Sequence, residues 1–121
     1  MSNYKTLDVW KISMNLVKEV YALTKKFPKD ELFGLTSQIK RAAVSIPANI
    51  AEGVGRQYKK DTIQFLYISR GSVYELETHL NIALMVEIIL EEEFTSIMSS
   101  VEKTLQVLNG FINYLEKAAL K

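Results

Sequence analysis

Apolar residues recur along this chain at the three- and four-residue steps of an amphipathic helix in four segments, separated by three short turns. The first segment, about Leu7 to Phe27, opens with Thr6 as a candidate N-cap. It closes at Phe27-Pro28, because the residue before a proline is pushed out of the α region. Its apolar positions, Leu7, Val9, Trp10, Ile12, Met14, Leu16, Val17, Val20, Tyr21, Leu23 and Phe27, sweep an arc of roughly 220°, about twice what one core requires. The excess predicts a subunit contact carried by Val9, Trp10, Leu16, Val20 and Phe27, with a thick core around one helix as the other reading. The last segment, about Glu92 to Ala119, sets Phe94, Met98, Val101, Leu105, Leu108, Ile112, Leu115 and Ala119 in alternating steps of four and three. Such an a/d seam packs helices at shallow angles.

The second segment, about Thr36 to Arg56, gathers Ile39, Ala42, Ala43, Ile46 and Ile50 on one side, small enough for close helix approach. Pro47 inside it removes a backbone hydrogen bond and predicts a kink, since the apolar spacing continues from Ile46 to Ile50. Gln38, Arg41, Ser45, Asn49, Glu52 and Arg56 line up as a polar stripe. Solvation, an interhelical hydrogen-bond network or RNA contact would each explain it. The third segment, about Lys59 to Ile89, follows Gly53, Gly55 and the basic link Arg56-Gln57-Tyr58-Lys59-Lys60. Gly71 within it predicts a close helix crossing.

Four helices joined by short turns predict an all-α, antiparallel up-down-up-down four-helix bundle with a proline kink in its second helix. The 121 residues suit a single domain, 1–121, with one core. No cysteine is present, which excludes disulfides and thiolate chemistry and fits a reducing, cytoplasmic setting. Met1 to Lys5 lack the basic and apolar run of a signal peptide, and the longest apolar candidate, Ile82 to Leu90, contains Glu87 and is too short for a membrane span.

Charge changes the picture more than composition does. The net +1 conceals 12 basic and 6 acidic side chains in residues 1–70 against 3 and 8 in residues 71–121. An up-down bundle sorts them by end. One end collects Lys5, Arg56, Lys59, Lys60, Lys117 and Lys121 against Asp61 and Glu116. The other collects Lys25, Lys26 and Lys29 against Asp30, Glu31, Glu87, Glu91, Glu92 and Glu93. The first is basic and the second acidic.

Catalytic chemistry finds little to work with. His79 is the single histidine, and Glu75, four residues earlier, reads as a common solvated pair. A ferritin-like di-iron site needs two Glu-x-x-His pairs, and none exists here. Gly53-Val54-Gly55 follows a helix, lacks a Gly-Lys-Ser/Thr sequel, and reads as a helix cap and turn in place of a phosphate loop. Glu91, Glu92 and Glu93 complement a helix dipole and do not converge on a cation. The reading is a non-enzyme with no cofactor, metal or small-molecule substrate.

The run Ser45-Ile46-Pro47-Ala48-Asn49-Ile50-Ala51-Glu52-Gly53 resembles the four-helix-bundle family encoded by intervening sequences of bacterial 23S ribosomal RNA genes. The resemblance extends to Leu7-Asp8-Val9-Trp10-Lys11, to Phe33 through Ala43, to Phe65-Leu66, to Arg70-Gly71-Ser72 and to Glu75-Leu76-Glu77-Thr78. It covers about the first two thirds of the chain. The pattern departs at Ser69, where the family has a small Ala, and at Val86-Glu87-Ile88-Ile89, which replaces a Leu-Gly-Tyr type turn. The resemblance implies a homo-oligomer, a ring of five, with a role linked to RNA. A similar bundle is the accessory protein of diversity-generating retroelements, which looks like a binder of nucleic acid and reverse transcriptase.

Residues and resemblance together lead to a non-catalytic, oligomeric bundle associated with RNA or DNA. Lys5, Arg56, Lys59 and Lys60 are its candidate phosphate contacts and Tyr58 its candidate stacking residue. The polar stripe Arg41, Ser45, Asn49 and Glu52 belongs to the family signature. The alternative is a protein-interaction adaptor that holds a partner helix without touching nucleic acid.

Overall fold

Leu16, Val20, Ile39, Ile46, Ile50, Leu66, Val73, Leu76, Leu80, Val101, Leu108 and Ile112 are closed off from water where four helices meet. Burying each Leu or Ile contributes about 1.5–3 kcal/mol. The computed structural model describes residues 3–119. It is helical throughout: α1 (Asp8–Thr24), α2 (Leu35–Val54), α3 (Lys59–Met85) and α4 (Glu91–Ala119), with 3-10 turns at Tyr4–Thr6 and Lys29–Glu31. Lys121 and the side chain of Ala119 lie outside the described residues. Among the described residues there is no strand, and no helix is long and apolar enough to cross a membrane.

Side-chain contacts fix how neighbouring helices run. From Gly53 through Ile46 to Ser45, descending α2, the partners on α3 ascend from Thr62 through Ser69 to Ser72. These two helices are therefore antiparallel. Lys26 to Glu93 and Glu19 to Ser100 give the same sense for α1 and α4, as do Tyr67 to Glu116 and Arg70 to Asn109 for α3 and α4. Tyr21 packs under Lys40 while the Tyr4–Thr6 turn also touches α2, which brings the start of α1 to the end of α2.

α2 and α3 approach each other closely, and Gly53 is the residue that permits it. A Cβ there would lie 2.7 Å from the Phe65 Cβ and 3.1 Å from the Thr62 carbonyl oxygen. Gly53 is thus part of the helix, and Gly55 alone serves as its C-cap. Gly71, the expected crossing point, has open space around it, as does Gly110 on α4. A glycine in sequence marks a close approach only when its missing side chain points at a neighbour.

Several boundaries move for identifiable reasons. Thr6 sits in the 3-10 turn, and Leu7 takes the N-cap position of α1 without a side-chain hydrogen bond. The helix stops at Thr24, although Phe27 is still buried beyond it. Pro47 does not divide α2, which stays helical on both sides of it. α3 ends at Met85, not Ile89, because the Ile88 N–H returns to the Ala83 carbonyl and the Glu87 N–H to that of Leu84. These two bonds form a Schellman C-cap, with Glu87 at φ 62° in the place usually held by glycine.

The apolar arc of α1 is divided differently from the expectation. Val9, Leu16, Val20 and Phe27 are buried in the chain's own core, so these four cannot cover another subunit. Trp10 is half-buried and packs edge-on against Tyr4. A helical wheel gives the width of an apolar face but not which part of it points inward. The outer part is Met14, Val17 and Tyr21, which share one side of α1 with Trp10. The α4 seam shifts as well: Ile97 and Thr104 are buried while Met98 and Leu105 are only half covered.

Two outcomes follow for stability. Gly53→Ala should destabilise the chain by about 1–3 kcal/mol through the clash with Phe65, whereas Gly71→Ala and Gly110→Ala should each stabilise it by about 0.5–1 kcal/mol; urea unfolding separates the cases. The second outcome concerns Glu93, whose carboxyl is held below its usual value first by the Leu90 N–H and then by the Lys26 ammonium. A depressed folded pKa stabilises fully above the unfolded carboxylate value and is lost as pH falls through the folded one. The stability gap between wild type and Glu93→Gln should therefore be widest near neutrality and close below pH about 4.

Candidate nucleic-acid interface

The turn Gly55–Tyr58 is built by backbone bonds at both ends. Gly55 N–H donates to the Ala51 and Gly53 carbonyls, and Arg56 N–H also to Gly53. Tyr58, extended, is the N-cap residue of α3, and its carbonyl accepts from the Asp61 and Thr62 N–H groups. The buried Thr62 hydroxyl donates to the Gly53 carbonyl at 2.7 Å, fastening the start of α3 to the end of α2. This rigid base carries exposed side chains: Arg56, Gln57, Tyr58, Lys59 and Lys60 all face solvent.

The basic residues do not form one uniform patch. Arg56 is engaged, its guanidinium 2.9 Å from the Glu52 carboxylate and stacked 4.6 Å from the Phe65 ring centroid. Together with Asp61, Gln64 and Phe65 it lines a shallow open depression of about 320 Å³. Lys59 and Lys60 occupy the first turn of α3 and have no ion-pair partner among the described residues. Cations there oppose the helix dipole by about 0.3–1 kcal/mol each. Tyr58 is 61% exposed. Lys5 is exposed on the Tyr4–Thr6 turn, its ammonium 6.0 Å from the Tyr4 ring centroid.

The polar stripe of α2 splits into two kinds of residue. The Asn49 amide donates to the Ser45 carbonyl and hydroxyl at 2.8 and 2.9 Å, and the Ser72 hydroxyl from α3 reaches the Ser45 hydroxyl at 2.9 Å. Ser45 and Asn49 thus belong to an interhelical network. Arg41, Gln38 and Glu52 are exposed, with Arg41 beside Tyr21, Lys40 and Val44 at an open surface depression. Ser69, where the family was expected to carry Ala, donates to the Ile46 carbonyl at 2.9 Å from a fully buried position.

Several polar pairs escaped sequence reasoning because their members are far apart in the chain. Tyr67 hydrogen-bonds Glu116, which raises its phenol pKa, and its ring stacks under Arg70, which in turn donates to Asn109. His79 is half-buried, its Nε2 without a hydrogen-bond partner and 4.0 Å from Glu75. Among the described residues no three His, Asp or Glu side chains are grouped as metal ligands would be.

Comparison with known proteins agrees with this architecture. The family model of the 23S rRNA-intervening sequence protein matches residues 5–110. A crystal structure of a protein of unknown function from the S23 ribosomal protein family of Bacteroides thetaiotaomicron VPI-5482 superposes with a TM-score of 0.80. The two share 28% identity over 86% of this chain and 97% of that one. No curated protein matches significantly.

Proposed function

The chain belongs to the 23S rRNA-intervening sequence protein family, and we propose that it is a non-catalytic, oligomeric bundle that associates with RNA or other nucleic acid through its basic end. The observation that carries this reading is the pair Lys59 and Lys60. They sit in the first turn of a helix whose dipole disfavours them, on a turn made rigid by Thr62 and Gly53, without ion-pair partners among the described residues. A phosphate reverses the sign of that arrangement, since it meets both ammonium groups and the positive end of the helix. Arg56, already held by Glu52 and Phe65, shapes the surface and contributes less charge. Tyr58 offers a free ring on which a base can stack.

The non-catalytic reading is supported by the engagement of the signature stripe, whose Ser45 and Asn49 are occupied with each other and with Ser72. The oligomeric reading now rests on Met14, Tyr21 and Val44, which leave apolar surface open on α1 and α2. In a ring with all subunits oriented alike, one basic end per chain becomes a continuous positive face, and several weak phosphate contacts act together.

Titrating purified protein with structured RNA and with duplex DNA across a salt series, with its mass determined in the same buffers, tests this. Wild type should bind as an oligomer with steep salt dependence. Lys59→Glu, Lys60→Glu should lower affinity at least tenfold in low salt and flatten the log–log salt slope by about 2, near 0.9 for each lost phosphate contact. Full affinity in that variant would eliminate the surface, and an oligomer indifferent to both nucleic acids would favour the adaptor reading.

A further inference from the structure

The opposite end of the bundle is unlike an ordinary set of turns. Connections between helices are normally built from Gly, Asn, Asp, Ser and Pro. Here the α1–α2 connection, though it includes Pro28 and Asp30 and ends in Gly34, carries Leu32-Phe33 just before that glycine, and the α3–α4 connection runs Val86-Glu87-Ile88-Ile89-Leu90 with none of those residues. Lys26 bonded to Glu93 ties these two connections to one end, and the antiparallel α2 and α3 bring the start of one to the finish of the other. Phe33 is 94% exposed, Met85 74% and Leu90 64%, and Leu32 and Val86 are exposed beside them in sequence. The Gly55–Tyr58 turn at the other end places one large apolar side chain, Tyr58, in water.

The charges around these side chains are mostly acidic. Glu93 is held by Lys26 and Leu90, and Glu31 accepts weakly from the Leu35 N–H. Asp30, Glu87, Glu91 and Glu92 are exposed and in no ion pair among the described residues. Glu87 is the most telling of them. It takes a left-handed conformation, φ 62°, at the Schellman position that glycine fills without strain. The chain therefore keeps a carboxylate where a glycine would suit the fold better.

We propose that this end is a docking surface for a basic, amphipathic helix of another protein. Its apolar side chains would meet Phe33, Met85 and Leu90, and its Lys or Arg residues would face Asp30, Glu87, Glu91 and Glu92. An exposed apolar group rimmed by polar residues marks an interaction site, and the acidic rim selects a cationic partner by charge complementarity. A second copy meeting it head to head, acidic end on acidic end, would set these carboxylates against each other. The surface is independent of the nucleic-acid reading, which concerns the other end.

The probe is a synthetic 14-residue peptide of Leu and Lys at helical spacing, compared with its Leu and Glu counterpart, titrated calorimetrically against the full chain. The Leu/Lys peptide should bind and the Leu/Glu peptide should not. Phe33→Ser, Met85→Ser should weaken binding at least tenfold while circular dichroism stays unchanged. Glu87→Gly should raise the melting temperature and weaken peptide binding together, a split that a purely structural role cannot give. Lys59→Glu, Lys60→Glu should leave peptide affinity intact. Binding insensitive to Phe33→Ser, Met85→Ser would reduce the effect to bulk charge and overturn the proposal. So would a drop in the solution mass of the free protein in that variant, which would make the surface a contact between copies.

Discussion

The structure depends on how closely α2 and α3 approach each other. At Gly53 the gap leaves no room for a Cβ, and from there the two helices are stitched by Thr62 to the Gly53 carbonyl, Ser69 to the Ile46 carbonyl and Ser72 to Ser45. Ala42, Ala43, Ser69 and Ser72 are the small buried residues that let backbones come near enough for these bonds. Each bond brings a net gain of about 0.5–1.5 kcal/mol, and that of Ser69 pairs a fully buried hydroxyl. The pairing fixes the register of two helices, and with it which turns share an end. The charge asymmetry of the sequence acquires a direction only because of this seam.

Much of this was legible from sequence. Period-3.6 patterning located four helices, because core burial demands it on every amphipathic helix. Small residues in α2 announced close packing, and the basic and acidic ends followed from short turns alone. Where the reading failed, the deciding contact was nonlocal. Gly71 and Gly53 look alike in sequence, but only Gly53 faces Phe65. Val9, Leu16, Val20 and Phe27 seemed surplus on α1 because the wheel could not say where α2 and α4 would sit. Ile88 and Ile89 continued the apolar pattern of α3, yet the chain had already turned at Glu87.

The signature stripe of α2 illustrates how one pattern can contain two functions. Ser45 and Asn49 satisfy one another and Ser72, so their hydroxyl and amide groups serve the seam. Arg41 and Glu52, from the same stripe, remain on the surface, and Glu52 restrains Arg56. A sequence motif of this kind can persist for packing in its middle and for surface chemistry at its edges. Residue-by-residue geometry is needed to separate the two.

Two departures from foldability stand out, one at each end. Lys59 and Lys60 oppose the dipole of α3, and Glu87 occupies a backbone conformation that disfavours any side chain. Neither improves the isolated chain. Local rules are broken most often where a surface must meet something else. The α2–α3 seam lies between the two, so the proposed ligands would meet surfaces at opposite ends of one helix pair. On the two proposed readings, a helical bundle of this length would hold a polyanion at one end and a cationic helix at the other.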